Sequence, residues 1–199
     1  MIKVVVLYYS REGTTRRMAN QIARGVESTT KCQAIVRTVP EITAVNAEAF
    51  RISEHKESSA PYLTHNELRD ADALIVGSPT RFGNMAAPLK AFFDSTTEIW
   101  LSGALCDKPA AVFTSSGSMH GGQESTLLTM MLPLIHHGML MVGLPYTEPA
   151  LSLTESGGSP YGAGHVSGTG NNPILTTDEK KLCTLLGNRV ATLAAKLAN

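Results

Sequence analysis

A repeated switch of hydrophobic period constrains this chain more than any single motif. Residues 3–9 form a nearly continuous apolar run of strand length, the pattern of a strand buried on both faces of a parallel sheet. From residue 15 to about 27 the period lengthens. Met18, Ile22 and Val26 recur every fourth residue beside Ala19 and Ala23, giving one stripe that can lie on a sheet, while Arg16, Arg17, Arg24 and Glu27 fall largely off it. The alternation then returns, with strands expected at 33–39, 73–76, 110–113 and 139–144. Between and after them lie a short helix at 64–70, a helix starting near Pro88 and ending before Trp100, one over 124–137 and a closing helix after residue 176.

Local chemistry supports several of these boundaries. Thr64 with Glu67, and Thr176 with Glu179, have the S/T-x-x-E spacing of a capping box. Pro88 is tolerated near a helix start, where its missing N–H would be unpaired anyway. Leu89, Phe92 and Phe93 give that helix a core face. Leu127, Leu128, Met131, Leu134 and Ile135 are expected to face inward from 124–137, with Pro133 bending the helix. Leu182, Leu185, Leu186, Val190, Leu193 and Leu197 form the stripe of the last helix. Two stretches fit no element. Residues 41–63 are polar and aperiodic, a surface insertion, and about 146–175 is a long glycine-rich loop. A single domain over 1–199 is expected.

Strands alternating with amphipathic helices imply right-handed βαβ units, one parallel sheet and helices on both faces. The loops that follow strands one, three and four then share one edge, where ligands bind in open α/β sheets. The first of these, Ser10-Arg11-Glu12-Gly13-Thr14-Thr15, opens a helix, so unpaired main-chain N–H groups and a favourable dipole meet hydroxyl donors. Four or five such bonds to a phosphate, at about 1.5 to 3 kcal/mol each, outweigh a dipole contribution of about 0.3 to 1 kcal/mol, so no lysine is needed. The second loop, 77–84, adds an arginine, an aromatic and glycines. The third, 114–123, adds more N–H and O–H groups. Together they suit a phosphorylated planar heterocycle.

Other ligands want residues that are missing. A dinucleotide site calls for G-x-G-x-x-G after strand one, where only Gly13 stands, and a nucleotide P-loop calls for G-x-x-x-x-G-K-[ST]. A phospho-receiver would place carboxylates at the strand ends occupied by Ser10 and Ser78. Flavin mononucleotide, FMN, remains. Lys plus Arg equals Asp plus Glu at 17 each, so no global field recruits nucleic acid or an anionic membrane. Cys32, Cys106 and Cys183 are far apart and lack C-x-x-C spacing, and no apolar run reaches membrane-spanning length, which leads to the expectation of a soluble cytoplasmic protein without membrane insertion. His136 and His137, about 100° apart on a helix, cannot grip one metal as an i, i+4 pair would, and no metal site is expected.

Six segments in order resemble the WrbA-type NAD(P)H:quinone oxidoreductases, a flavodoxin-like FMN protein family. They are Leu7-Tyr8-Tyr9-Ser10, Gly77-Ser78-Pro79-Thr80-Arg81-Phe82-Gly83-Asn84-Met85, Ser102-Gly103-Ala104-Leu105, Gly121-Gly122-Gln123-Glu124, His136-His137-Gly138 and Ser159-Pro160-Tyr161-Gly162. The resemblance spans essentially the whole chain. It implies an α/β flavodoxin-like three-layer sandwich with a five-stranded parallel sheet of order 2-1-3-4-5, one FMN per subunit, NADH or NADPH as electron donor, a quinone substrate reduced by two electrons, and a homotetramer whose pockets neighbouring chains complete. It also implies site residues. Ser10, Arg11, Glu12, Gly13, Thr14 and Thr15 would hold the phosphate; Pro79, Thr80, Arg81, Phe82 and Gly83 would meet the isoalloxazine; Ser115, Ser116, Gly117, Ser118, Met119 and His120 would line its other side. His136 would make a polar contact near the ring. Trp100 would wall the quinone or nicotinamide and reach the site of another subunit, with His136 on the same substrate side and Glu12 pointing away from the phosphate toward the nicotinamide side. The chain departs from the family at Glu12, where an aromatic is usual, and at 115–123, where Met119-His120 replaces a more glycine-rich stretch. Hydride transfer in two steps with ping-pong kinetics is the expected mechanism; a one-electron carrier and a flavin-binding assembly protein are the alternatives.

Overall fold

In the computed structural model, which describes residues 1–44, 50–52 and 60–198, strands and helices alternate as the period switches demand. The elements run β1 (Ile2–Tyr8), α1 (Thr14–Glu27), β2 (Cys32–Thr38), β3 (Ile42–Ala44), β4 (Phe50–Ile52), α2 (His65–Arg69), β5 (Ala73–Pro79), α3 (Ala87–Asp94), α4 (Thr97–Leu101), β6 (Pro109–Ser116), α5 (Gln123–His136), β7 (Leu140–Met141), α6 (Pro149–Leu153), β8 (Ala163–Val166) and α7 (Thr177–Leu197). The main sheet has the order β2-β1-β5-β6-β7, all pairs parallel. Numbered among the five expected strands, that is 2-1-3-4-5.

The continuous apolar run of β1 is split between two cores by the pleat. Val4, Val6 and Tyr8 pack with Met18, Ile22 and Val26 of α1 and with Leu182, Leu186 and Val190 of α7. Val5 and Leu7 point the other way, toward Leu89 and Phe93 of α3 and Leu127, Met130 and Leu134 of α5. Glycine sets the spacing where elements come closest. A Cβ on Gly187 would stand 2.1 Å from the Ile22 carbonyl oxygen, so α7 meets α1 backbone to backbone.

The structure departs from the sequence reading in several places, the first being the antiparallel pairing of β3 with β4 inside the 41–63 stretch expected to hold no element. The fifth strand is shorter than 139–144: β7 pairs only with Pro109 and Ala110, and the upper part of the same β6 edge is taken by β8, whose Ala163 to Val166 pair with Phe113 to Ser116. The glycine-rich stretch therefore contains α6 and a sixth strand. The helix near Pro88 breaks into α3 and α4, because the Ser95 and Thr96 hydroxyls donate to the Phe92 and Phe93 carbonyls and end the first piece, and Trp100 falls inside the second. On α5 the core stripe is Leu127, Met130 and Leu134; Leu128 and Ile135 are 43% and 53% exposed, because they lie a residue off that stripe. Both capping boxes form. Much of the 41–63 insertion lies outside the described residues; at its end Tyr62 bridges to Thr38 and Leu63 is buried. Among the described residues no helix is long and apolar enough to cross a membrane.

Candidate functional site

The turn between β1 and α1 is shaped by Gly13, which sits at the helix N-cap in the left-handed region at φ 91° and donates its N–H to the Ser10 hydroxyl at 3.1 Å. Among the described residues no side chain caps α1, so its first amides are left for something else to satisfy. Thr14 and Thr15 are buried behind this turn, and the Thr15 and Ser115 hydroxyls stand 3.1 Å apart. The Pro79 to Ser115 register of β5 and β6, continued by the Thr80 N–H donating to the Ser115 carbonyl at 2.8 Å, brings the second and third loops alongside.

Arg81 and Asn84 exchange two main-chain hydrogen bonds around Phe82 and Gly83, both at positive φ (53° and 76°), as in the hairpin turns that require two left-handed central residues. A phenylalanine in that position is strained, and the Phe82 side chain is fully exposed. The Thr126 hydroxyl already donates to the Gly122 carbonyl at 2.7 Å, so Thr80, 2.7 Å from it, must be the donor of that pair. The Thr80 oxygen keeps accepting capacity toward the cleft. In the third loop, Ser116 is buried, donates to the Ser118 carbonyl and accepts from the buried Gln123 amide at 2.9 Å.

These contacts enclose a cavity of about 210 Å³ lined by Ser10, Arg11, Glu12, Thr14, Thr15, Pro79, Thr80, Arg81, Ser115, Ser116 and Gly117. Eleven of the expected site residues thus meet in one place. Gly13 and Gly83 shape the backbone beside it, Phe82 projects outward, and Ser118, Met119 and His120 continue the third loop away from its wall. Arg11 and Arg81 also border a second, larger hollow of about 730 Å³ that runs past Tyr9, Met85 and Pro88 to Lys90. Glu12 lines the first cavity and not this second one. Trp100 and His136 lie elsewhere, together in a third hollow of about 370 Å³ with Lys90, Phe93 and Pro133. Beside them the His137 Nε2–H donates to Thr96 at 2.9 Å, and among the described residues its buried Nδ1 has no partner; burial, then the adjacent His136, push its pKa down. Among the described residues no group of three His, Cys, Asp or Glu side chains could hold a metal.

Two wall residues escape the sequence reading. Ser167 and Asn171 line the first cavity from the glycine-rich stretch, 150 residues beyond the turn they face, and no local pattern announces them. Their placement follows from β8 pairing with β6.

The donor set fits the phosphate of FMN: an uncapped helix N-terminus, neutral hydroxyls on three loops and two arginines, with Glu12 the only carboxylate on the wall among the described residues. Residues 2–147 match the family model described as NADPH-dependent FMN reductase. Two curated proteins called NAD(P)H dehydrogenase (quinone) are similar along their whole lengths. The one from Syntrophobacter fumaroxidans is 42% identical over 98% of both chains, and the one from Geotalea uraniireducens 40% identical over 99% of this chain and 100% of its own. The crystal structure of the flavodoxin, WrbA-like protein from Agrobacterium tumefaciens superimposes with a TM-score of 0.68 at 26% identity, covering 98% of this chain and 99% of that one.

Proposed function

The chain belongs to the NADPH-dependent FMN reductase family, and from that membership we propose that it is an FMN-dependent NAD(P)H:quinone oxidoreductase that reduces quinones by two electrons with ping-pong kinetics. The observation that carries this reading is the convergence of three loops on one cavity walled by hydroxyls, main-chain N–H groups and Arg11 and Arg81 at the C-terminal edge of the sheet. The names of the two bacterial relatives support the donor and the acceptor.

FMN, when bound, supplies the hydride relay between nicotinamide and quinone. The protein's residues bind, orient and shield. The α1 N-terminus with Ser10, Thr14 and Thr15 anchors the phosphate. Thr80 and Arg81 flank the heterocycle, and the Arg81 guanidinium, held by its bond to the Thr80 carbonyl at 2.8 Å, offers positive charge where negative charge develops on reduction. The hollow between Arg81 and Lys90 admits the nicotinamide nucleotide and, after that leaves, the quinone. One hollow serving both substrates in turn is what produces ping-pong behaviour.

Trp100 and His136 line a separate hollow of their own chain, which adjoins that one at Lys90. Leu128, Leu132 and Ile135, spaced on one face of α5, are 43%, 57% and 53% exposed, and Trp100 is 50% exposed. A homotetramer that covers this face and brings a neighbour's Trp100 to the cofactor reconciles both facts. Three free cysteines, Cys183 among them buried with its thiol pushed well up by desolvation, suit the cytoplasm.

The test is a visible spectrum of the purified protein, then NADH and NADPH oxidation with and without benzoquinone at varied concentrations of both substrates. A flavin spectrum, quinone-dependent oxidation and parallel double-reciprocal lines are expected. Colourless protein unable to take up FMN would overturn the reading, and intersecting lines would overturn its ping-pong part.

A further inference from the structure

The stretch that supplies Ser167 and Asn171 is tied down by a buried ion pair. Glu179, with no exposed side-chain surface, accepts five hydrogen bonds: on Oε1 from the Ser156 hydroxyl at 2.7 Å and the main-chain N–H groups of Gly157 and Val166 at 3.1 and 3.3 Å, and on Oε2 from His165 Nδ1 and the Thr176 N–H, both at 2.8 Å. His165 is equally enclosed. Its Nε2 lies 2.8 Å from the Asn172 carbonyl, so both ring nitrogens face acceptors. A neutral imidazole has one N–H and would leave one of those contacts without a proton; only the imidazolium satisfies both.

Between the two ends of this clamp the chain crosses the cavity. The Ser167 N–H and hydroxyl both donate to the Ser116 carbonyl, at 2.8 and 3.1 Å, which stitches the segment to the third loop. The Asn172 N–H returns to the Ser167 carbonyl at 2.8 Å and closes the excursion. At its tip Asn171 is held in the left-handed region at φ 51°. Among the described residues no partner holds its side-chain amide, and it lines the same cavity as Thr14 and Thr15.

A buried ion pair is a poor way to add stability, since apolar residues of similar volume often serve as well; its use lies in fixing one geometry. We propose that residues 167–171 are a fourth wall at the phosphate end of the cofactor cavity, with the Asn171 amide as a ligand of the phosphate and His165 and Glu179 as the positioning pair that holds the wall in place. The inference rests on the FMN reading of the cavity. It makes part of the discrimination between FMN and riboflavin the work of a segment far from the first loop.

The experiment strips flavin from the full chain and titrates FMN and riboflavin back by fluorescence. It compares wild type with Asn171→Gly, which removes the amide but tolerates φ 51°, and His165→Gln, which removes the second charged donor. Each variant is expected to raise the FMN Kd about tenfold, the value of one lost charge-assisted bond, while riboflavin affinity stays within about twofold of wild type. An FMN-to-riboflavin ratio equal to wild type, or an equal loss of both flavins, overturns the proposal. Wild type that binds neither flavin overturns the cofactor reading instead. Should His165→Gln fail to fold, the ratio for the exposed Asn171→Gly decides.

Discussion

The hydroxyls of Thr15 and Ser115 stand 3.1 Å apart although 100 residues separate them. That contact ties the turn after β1 to the end of β6, and both side chains are buried against the cavity. Thr15→Val keeps the shape and removes the donor. The FMN Kd should rise about tenfold, from the loss of a phosphate bond and of the contact that positions Ser115. The folded protein loses only one neutral bond, about 1 kcal/mol in a urea titration. An FMN affinity equal to wild type in a fluorescence titration would remove Thr15 from the site.

Glu12 puts a carboxylate on the wall of the cavity proposed to hold the phosphate. Glu12→Gln should tighten FMN binding, by about twofold to fivefold at low ionic strength, because the side chain is exposed and its repulsion is screened by water. The gain should shrink at high salt, where the Debye length falls to about 3 Å at 1 M. Titrations at two salt concentrations check both parts, and weaker binding by the variant would show that Glu12 supports the loop.

Gly187 and Gly25 let α7 and α1 touch. A Cβ at Gly187 would approach the Ile22 carbonyl oxygen to 2.1 Å, and one at Gly25 the Thr184 carbonyl oxygen to 2.0 Å, both backbone atoms that can move only with their helix. Gly187→Ala should therefore cost about 1 to 3 kcal/mol in urea unfolding despite alanine's higher helix propensity. Gly170→Ala, with nothing within 4 Å of the added carbon, serves as the control and should be nearly neutral.

The His165–Glu179 pair gives stability a pH dependence on both sides. Burial alone would raise the Glu179 pKa, but hydrogen bonds from His165, Ser156 and Thr176 hold it down to about 2, well below its ordinary value. A depressed carboxyl contributes stability above its unfolded pKa and loses it as pH falls toward the folded one, so stability should drop from about pH 4.5 toward 2. Glu67, held to about 2 chiefly by Arg37, titrates over the same window, but as a half-buried pair its part should weaken with added salt. For His165 burial lowers the pKa, and the bonds to Glu179 and Asn172 more than reverse it. A raised histidine contributes fully below its unfolded pKa and loses that contribution as pH rises through the folded one, so stability should also decline above about pH 6.5. Urea midpoints across pH 2 to 9 check the shape. Glu179→Gln should flatten the alkaline limb and leave the Glu67 share of the acid limb.

How much of this molecule could be read before folding depended on the range of the interaction. Burial is recorded locally, as a period, so Val4, Val5, Val6 and Leu7 announced a strand with two buried faces, and Met18, Ile22 and Val26 announced the helix that covers one of them. Capping is local too, and Thr64 and Thr176 began their helices as their spacing implied. The turn at 10–15 and the loop at 79–83 follow strands in sequence, so their arrival on one edge came from the strand–helix alternation together with the handedness of parallel crossovers.

Pairing between distant strands leaves no such trace. β8 is four residues long and contains a glycine, and its place beside β6 rests on main-chain bonds that any sequence could offer. So the split of the fifth strand position, the arrival of Ser167 and Asn171 at the cavity and the meeting of His165 with Glu179 were settled by packing in three dimensions. The same holds for α5, where a difference of one residue in the stripe turns Leu128 and Ile135 outward. Short-range periodicity specified the elements and the edge where the cavity lies; the last wall of that cavity depended on backbone hydrogen bonds between segments whose side chains carry no record of their partners.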